Sequence, residues 1–430
     1  ILADARAQEM AEVGATTFRP PYTPVAMGAI AGANRGLEYK PIRRTPMHDW
    51  HVAHGGAMEP TGLWLRPRAY LENDETVVDA YKREAAHVRQ AVGMVDVSTL
   101  GKIDIRGPDA AELLNRVYVN GWKTLKVNRA RYGLMLREDG HVFDDGTTWR
   151  LADTHYLMTT TTANAGPVMA HLEYLLQCVW PDLRVTVTSV SDQWASVAVA
   201  GPKSREMLAA ALSDADVSNE ALPFMGIARG WLGDIPVLVA RLSFSGERAY
   251  EVYGPWHRGL DMWNALMSAG RPFDLRPYGT EALGALRIEK GHPAGSEIDG
   301  RTTLFDFGMQ RMASSKKDFI GRVLARRPHL VDPDRPRLVG LRSVSGGQIP
   351  VGAVVVDPAD QDPASNELGS VSATTWSPAV DAWIALGFVR RGPDRHGEHL
   401  EARSYVHNAE VPVEVTPPCF VDPEGERMHG

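Results

Sequence analysis

Arg131-Tyr132-Gly133-Leu134-Met135-Leu136-Arg137-Glu138-Asp139-Gly140-His141-Val142-Phe143-Asp144-Asp145-Gly146-Thr147 is the stretch on which the reading of this chain turns. Tyr132 to Leu136 reads as a strand, and so does Thr154 to Thr160 further on; the two flank a loop expected around Gly140 and Gly146. Asp144 and Asp145 are adjacent, and on extended backbone neighbouring side chains point to opposite faces. One acid is therefore expected to face inward and the other to face solvent or cap a turn. An inward carboxylate is costly unless it is paired or hydrogen-bonded. Residue types alone do not choose between the two, and an Asp-Asp pair at a turn is ordinarily structural.

Upstream, Tyr81, Ala85, Val88 and Val92 recur at helical spacing in a helix that begins near Val77, and Gly93 can end it. Gly101-Lys102-Ile103-Asp104-Ile105-Arg106-Gly107 alternates polar with apolar, a strand pattern. Pro108 and the acids after it open a helix. Ala165 to Gln177 is an amphipathic helix. The same grammar then returns: a strand at Ala195 to Ala200, a helix from Gly201-Pro202-Lys203-Ser204, and strands at Ile235 to Leu242 and Tyr250 to Val252. The strand-Gly-Pro-helix element, present at Gly107-Pro108 and again at Gly201-Pro202, is a weak internal repeat predicting two similar halves. A helix over Ala282 to Lys290 and the segment Asp306 to Met312 complete that body.

Beyond Arg337 come short strands with turn residues between them: Leu338 to Leu341, Ala353 to Val356, Gly369 to Ser372, Ile384 to Val389 and Val411 to Val415. They read as a small antiparallel barrel or sandwich. The expected fold class is thus α+β. Residues 1–75 are an irregular, Pro-rich linker or docking segment, including Phe18-Arg19-Pro20-Pro21-Tyr22-Thr23-Pro24. Residues 76–330 are the body, and 331–430 the C-terminal β-barrel. Trp50, Trp64, Tyr22 and Tyr70 favour packing of the first segment over disorder.

The 430 residues are 44% hydrophobic and 23% charged, ordinary for a globular protein and too many for one core. No run of eighteen apolar residues predicts a membrane-spanning helix. A net charge of -7 argues against general nucleic-acid binding but says nothing of local basic sites. Cys178 and Cys419, far apart and outside any C-x-x-C, read as free thiols in a reducing cytoplasm. The start at Ile1 is expected of a fragment of a longer polypeptide.

Signatures for P-loops, zinc proteases, serine hydrolases and Rossmann dinucleotide sites are absent. His48, His51 and His54 share a spacing of three, but Pro46 and Gly55-Gly56 oppose a long helix, so a structural or surface role is expected and no metal site. In Arg241-Leu242-Ser243-Phe244-Ser245-Gly246-Glu247-Arg248-Ala249-Tyr250-Glu251-Val252, Glu251 sits in a half-buried strand. It can accept from a heterocycle bearing an amino group beside a ring N–H, or it can simply face solvent.

The spacing from Tyr132 through Glu138-Asp139-Gly140 to Asp144-Asp145 resembles the glycine cleavage T-protein (aminomethyltransferase) superfamily. So do Phe244-Ser245-Gly246-Glu247 with Tyr250-Glu251-Val252, Leu286-Arg287-Ile288-Glu289, Lys316-Lys317-Asp318-Phe319-Ile320-Gly321-Arg322, and the run from Gly369 through Trp376 to Gly387. Each match is weak alone; the ordered set, spanning about residues 78 to 415, is specific. Phe18 to Val25, Arg44 to His48, Asp96-Val97-Ser98-Thr99-Leu100-Gly101-Lys102 and Met158-Thr159-Thr160-Thr161-Thr162 resemble, within it, heterotetrameric sarcosine oxidase alpha subunits.

The resemblance implies a T-protein-like body with a C-terminal barrel, and tetrahydrofolate as the cofactor. It places the catalytic carboxylate, against the folate nitrogen bridging pteridine and benzoate, on Asp145 rather than Asp144. Tyr132, Asp145, Thr147, Phe244 and Glu251 become the folate-binding set, Glu251 reading the pterin. Where the family carries an arginine in a Gly-Ala-Arg-Asp run, this chain has Ala282-Leu283-Gly284. That departure fits an oxidase-type relative better than glycine cleavage itself. The expected role is capture of the methyl carbon of oxidised sarcosine as 5,10-methylenetetrahydrofolate, beside other sarcosine oxidase subunits. Flavin (FMN or FAD) and NAD are expected in partner chains or in preceding sequence. A stand-alone folate-dependent demethylase or aminomethyltransferase, and a non-catalytic folate-binding module, are the alternatives.

Overall fold

The computed structural model describes residues 42–360, 362 and 366–430. The Pro-rich stretch Phe18–Pro24 and the docking role expected of it lie outside them. Residues Arg44–Gly430 form one compact unit.

That unit opens with a short helix, α1 (His48–Ala53), and a hairpin, β1 (Gly56–Thr61) and β2 (Trp64–Tyr70). The part of the 1–75 segment that is described is therefore not irregular. Pro60 and Pro67 mask the hairpin in the sequence, but a two-stranded ribbon has outer edges where a missing donor costs nothing. Gly62, with φ of 62°, makes the two-residue turn. Of the three histidines in and just after α1, His51 and His54 take different partners. His51 is buried between Tyr70 (Oη to Nδ1 2.8 Å) and Asp96 (Nε2 to Oδ2 3.2 Å), while the His54 ring stacks on Trp50 with centroids 3.8 Å apart.

Helix α2 (Val77–Gln90) starts with a capping box, Thr76 and Asp79 each bonding the other's backbone N–H. Strands β3 (Val92–Asp96) and β4 (Gly101–Arg106), helix α3 (Ala110–Val117), strands β5 (Arg129–Leu136), β6 (Val142–Ala152) and β7 (His155–Thr160), helix α4 (Ala165–Tyr174) and strand β8 (Thr186–Ser189) follow. The next elements are β9 (Trp194–Ala200), α5 (Ser204–Ala211), β10 (Ile227–Leu232), β11 (Ile235–Ala240), β12 (Ala249–Pro255), α6 (Gly259–Gly270), β13 (Leu275–Pro277) and α7 (Thr280–Lys290).

The internal repeat is real and is topological. One sheet runs β5-β6-β7-β4-β8, the other β10-β11-β12-β9-β3-β13. Each half is a strand, a helix and three more strands, with the first strand laid beside the last. Gly107 and Gly201 take the same unusual φ, 139° and 129°, between first strand and helix. A Cβ at Gly107 would lie 2.1 Å from the Arg184 carbonyl oxygen, and one at Gly201 2.4 Å from that of Ala91. Only glycine fits either corner.

The two sheets pack face to face. Ala130, Trp149, Leu151 and Leu157 from one meet Ile227, Leu238, Ala240 and Tyr253 from the other in a single apolar cluster. The remaining strands, β14 (Pro336–Ser343), β15 (Val354–Val356), β16 (Glu367–Ser377), β17 (Ala382–Arg390), β18 (His399–Ser404) and β19 (Ala409–Thr416), close into an antiparallel barrel in the order β14-β17-β16-β15-β18-β19. Leu338, Ala373, Ile384 and Leu386 of the barrel bury against Leu134, Leu136 and Val142 of the body. The fold is therefore the α+β body of two similar halves with a C-terminal barrel that the sequence predicts.

One local expectation changes. The loop is confined to the turn around Gly140, where Arg137 and His141 pair; Gly146 lies inside β6, opposite Gly133. A Cβ on Gly146 would meet the Thr159 carbonyl oxygen of β7 at 2.1 Å. Gly146→Ala is expected to force β6 from β7 and cost about 1–3 kcal/mol, the usual range for overpacking. Urea denaturation measures it; a loss under about 0.5 kcal/mol would show that these strands part freely.

Candidate functional site

β6 carries Asp145, Thr147 and Trp149 at alternate positions, so all three face one way. Tyr132 of β5 stands opposite Thr147 in register and joins that face. Its hydroxyl donates to Asp145 Oδ2 at 2.9 Å. Facing them, β12 presents Glu251 and Tyr253, again two apart, and the Tyr253 hydroxyl donates to Glu251 Oε2 at 3.0 Å. The Trp149 and Tyr253 rings meet edge to face with centroids 4.5 Å apart, and Trp149 Nε1 donates to Thr147 Oγ1 at 3.0 Å. Two carboxylates, each held by a tyrosine, are thus set on opposing sheets and joined through Thr147, Trp149 and Tyr253.

The chemistry of both acids follows from where they sit. Burial pushes the Asp145 carboxyl up to about 6, against the opposing hydrogen bond from Tyr132. Burial likewise raises Glu251, partly offset by Lys102. Asp145 is thereby poised between carboxylate and neutral acid not far below neutral pH, the condition for general acid–base work. Oε1 of Glu251 takes no hydrogen bond from another described residue, which leaves it open to a donor.

Asp144 corrects the expected division of labour. It neither faces solvent nor caps a turn: it is fully buried on the other face of β6. Thr161 Oγ1 donates to it at 2.7 Å, the Thr161 N–H at 3.3 Å and Asn164 Nδ2 at 3.1 Å. Burial and the neighbouring Asp145 charge raise its carboxyl too. Asp144 fixes the start of α4 to β6, and both acids of the pair are interior.

Phe244 stands apart from the other four. Its ring is half exposed beside His292, with centroids 5.9 Å apart, and its carbonyl accepts from His292 Nδ1 at 3.0 Å. Residues that sequence reasoning passed over complete the site. Lys102 is fully buried, its Nζ donating to the carbonyls of Ser98 (2.9 Å) and Leu100 (3.0 Å) and lying 5.4 Å above the Tyr253 ring. Burial drives its ammonium down to about 7, partly countered by Asp96 and Glu251. Thr159 Oγ1 accepts from the Thr147 N–H at 3.0 Å and so holds the β6 backbone at the site. The threonine run was the signal available for Thr159; Lys102 sits at an ordinary polar position of the alternation and gave none.

Other matched motifs prove structural. Glu247 and Glu289 are both pinned by Arg89, at 2.7 and 2.6 Å. Arg287 pairs with buried Glu297 at 2.8 Å. Lys317 Nζ donates to the Asn115 carbonyl at 2.5 Å and to that of Tyr118, capping the end of α3. Among the described residues no cluster of His, Cys, Asp and Glu could hold a metal ion, and no helix is long and apolar enough to cross a membrane.

Comparison with known proteins bears on this arrangement. The GCVT N-terminal domain model matches residues 47–317, and the glycine cleavage T-protein C-terminal barrel domain model matches residues 337–422. The sarcosine oxidase subunit alpha of Rhizobium meliloti (strain 1021) is 44% identical over 434 residues, covering 100% of this chain but 44% of that protein. Its counterpart from Corynebacterium sp. (strain U-96) is 44% identical over 98% of this chain and 44% of its own length. The chain thus spans under half the length of these relatives. The aminomethyltransferase of Streptomyces coelicolor is 31% identical over 76% of this chain and 93% of its own. Among solved structures, the glycine cleavage system aminomethyltransferase T from Bartonella henselae superposes with a TM-score of 0.76 at 23% identity, over 89% of this chain and 98% of that one. With a family model over most of its body, a second over its barrel and an aminomethyltransferase matched along nearly its full length, this chain belongs to the glycine cleavage T-protein (aminomethyltransferase) family.

Proposed function

We propose that this chain binds tetrahydrofolate between its two sheets and is the folate-dependent part of a sarcosine oxidase. There it transfers the methyl-derived carbon of the oxidised amine to give 5,10-methylenetetrahydrofolate. One observation carries the reading: Asp145, steered by Tyr132 and with its carboxyl pushed to about 6, faces a second open carboxylate, Glu251, across the sheets. The donor set fits the ligand. The amino group and neighbouring ring N–H of a pterin offer adjacent donors to a carboxylate such as Glu251, and a folate carries, toward its middle, the nitrogens that take up a one-carbon unit.

Glu251 orients the pterin, and Tyr253 orients Glu251. Trp149 and Tyr253 exclude water from the base of the cavity. Asp145 accepts the proton released when the attacking nitrogen becomes cationic and returns to neutral, and Tyr132 keeps the carboxylate aimed. Holding both reactants in one cavity removes much of the entropic barrier and limits escape of formaldehyde. The other sarcosine oxidase subunits are the expected partners, in a cytoplasmic heterotetramer. Flavin (FMN or FAD) and NAD belong to those partners or to sequence outside this segment. Identity of 44% to the oxidase subunits, against 31% to an aminomethyltransferase, favours this over a stand-alone aminomethyltransferase.

Glu251→Ala is expected to weaken tetrahydrofolate binding by about 1.5–3 kcal/mol, the range for a hydrogen bond to a charged group. Isothermal titration measures the loss, with the melting temperature nearly unchanged. A large drop in melting temperature at constant affinity would make Glu251 a structural residue.

Asp145→Asn is expected to cut methylenetetrahydrofolate formation by about 10²–10⁴-fold while amine oxidation in the intact complex continues and free formaldehyde accumulates. Asp144→Asn serves as the structural counterpart. It places an amide against the Thr161 and Asn164 donors and lowers stability by about 1–3 kcal/mol. Product analysis at limiting sarcosine, paired with thermal melts, separates the two. The same partition ratio for Asp145→Asn as for the unaltered protein would remove Asp145 from the chemistry.

The raised carboxyl of Asp145 also sets a pH dependence. The base form is present above about pH 6 and lost below it. The folate-dependent product is therefore expected to fall about tenfold per unit below that point, and Asp145→Asn to flatten this limb. A limb that persists unchanged in the variant would assign the titration to another group.

A further inference from the structure

The hydrogen bonds of Lys102 do not account for its charge. Its Nζ closes the turn between β3 and β4 by donating to the Ser98 and Leu100 carbonyls at 2.9 and 3.0 Å. A neutral amide could donate there as well, and a fully buried ammonium is costly to keep. Among the described residues Lys102 makes no ion pair. The charged groups around it come from four elements: Asp96 on β3, Glu251 on β12, Arg66 on β2 and Asp192 in the turn before β9. Asp96 is already provided for, its Oδ2 bonded to His51 at 3.2 Å and its Oδ1 to the Ser98 N–H at 2.8 Å. Arg66 is turned to the Asp96 carbonyl at 3.0 Å. Glu251 is different. It is held at one oxygen by the Tyr253 hydroxyl, and Lys102 Nζ lies 5.4 Å above the ring of that tyrosine. Burial raises Glu251, and Tyr253 and Lys102 hold it back. Lys102 belongs to the first sheet, whereas Glu251 and Tyr253 belong to the second.

We propose that Lys102 is a positioning residue for the pterin: acting across the sheets and through Tyr253, its charge keeps Glu251 a carboxylate. The inference rests on the folate reading of the site between the sheets. A carboxylate only accepts, and so matches the paired donors of a pterin's amino group and ring N–H. A neutral carboxyl would turn an O–H toward one of them. A nearby opposite charge lowers a carboxyl by about one to three units. The cation over the Tyr253 ring and the bond from Tyr253 to Glu251 polarise in the same sense, so the two effects add. Burial drives Lys102 itself down to about 7. Its charge is therefore present on the acid side, where Glu251 would otherwise take up a proton, and is lost on the alkaline side, where Glu251 is ionised without help.

Titration with 5-formyltetrahydrofolate across about pH 5.5 to 9, a range that spans both groups, tests this. The proteins are the unaltered one, Lys102→Gln and Glu251→Gln, with circular dichroism melts taken alongside. The unaltered protein is expected to hold its affinity at neutral pH and lose it only on the acid side, and Glu251→Gln to abolish that limb. Lys102→Gln keeps a donor for the turn but not the charge. It is expected to move the limb up by about one to two pH units and to rejoin the unaltered affinity at the alkaline end. Weakening by the same factor at every pH would make Lys102 a clamp on the turn and overturn the proposal, as would an unmoved limb. Should Lys102→Gln not fold, the unaltered protein decides alone. A Glu251 limb below about pH 6.5 upholds the proposal and one above it overturns it, since a buried glutamate left to itself can titrate as high as about 8–9. Absence of binding to the unaltered protein at every pH overturns the folate reading itself, and this inference with it.

Discussion

The contact between Trp149 and Tyr253 governs the centre of this molecule. Both are fully buried, one from each sheet, and their rings pack 4.5 Å apart inside the cluster that welds the halves together. Each also has a polar end pointing toward the site: the indole N–H to Thr147 and the phenol to Glu251. Large aromatic groups with one polar handle suit such a place, since they supply apolar burial and a directed hydrogen bond at once. Separating the sheets there would expose the core and release Glu251 and Thr147 together. The stability of the body and the geometry of its polar face are therefore one constraint.

That constraint explains how ionisable groups survive inside. Asp144, Asp145, Glu251 and Lys102 all sit where water is largely excluded, and burial moves each of them toward its neutral form. They are tolerated because the backbone and hydroxyl groups around them are fixed. Asp144 has three donors, and Lys102 has two carbonyls. Asp145 and Glu251 are each held at one oxygen by a tyrosine. Groups satisfied on every side hold the scaffold, and groups satisfied on one side are the ones with capacity left for a ligand.

How far the sequence could be read depended on whether a residue's partner was local. The repeat was visible because Gly107 and Gly201 mark backbone corners that only glycine accepts, and such corners leave a trace in sequence. Most barrel strands were legible from their alternation. Strand β18, His399–Ser404, was not, because its inward residues are Leu400, Ala402 and Ser404 between charged outward ones, a poor β pattern rescued by barrel closure. Asp145 with Tyr132 was legible through spacing, since both lie on one hairpin. Lys102 and Tyr253 were not, because their role exists only once the second sheet is laid on the first. The placement of Asp144 depended on Thr161 and Asn164, whose positions no local pattern reveals.

The matched topology of the halves has a consequence for how such a site can be asymmetric. Strand β6 of the first half corresponds in order to β11 of the second, and β7 to β12. Asp145 lies on β6, whereas Glu251 lies on β12, so the two acids occupy non-equivalent places in the repeat. A doubled scaffold left symmetric would present the same group twice and would suit a ligand with identical ends. Here the architecture is paired and the chemistry is not. The pseudo-symmetry supplies two facing walls, and divergence between the halves makes those walls chemically unlike.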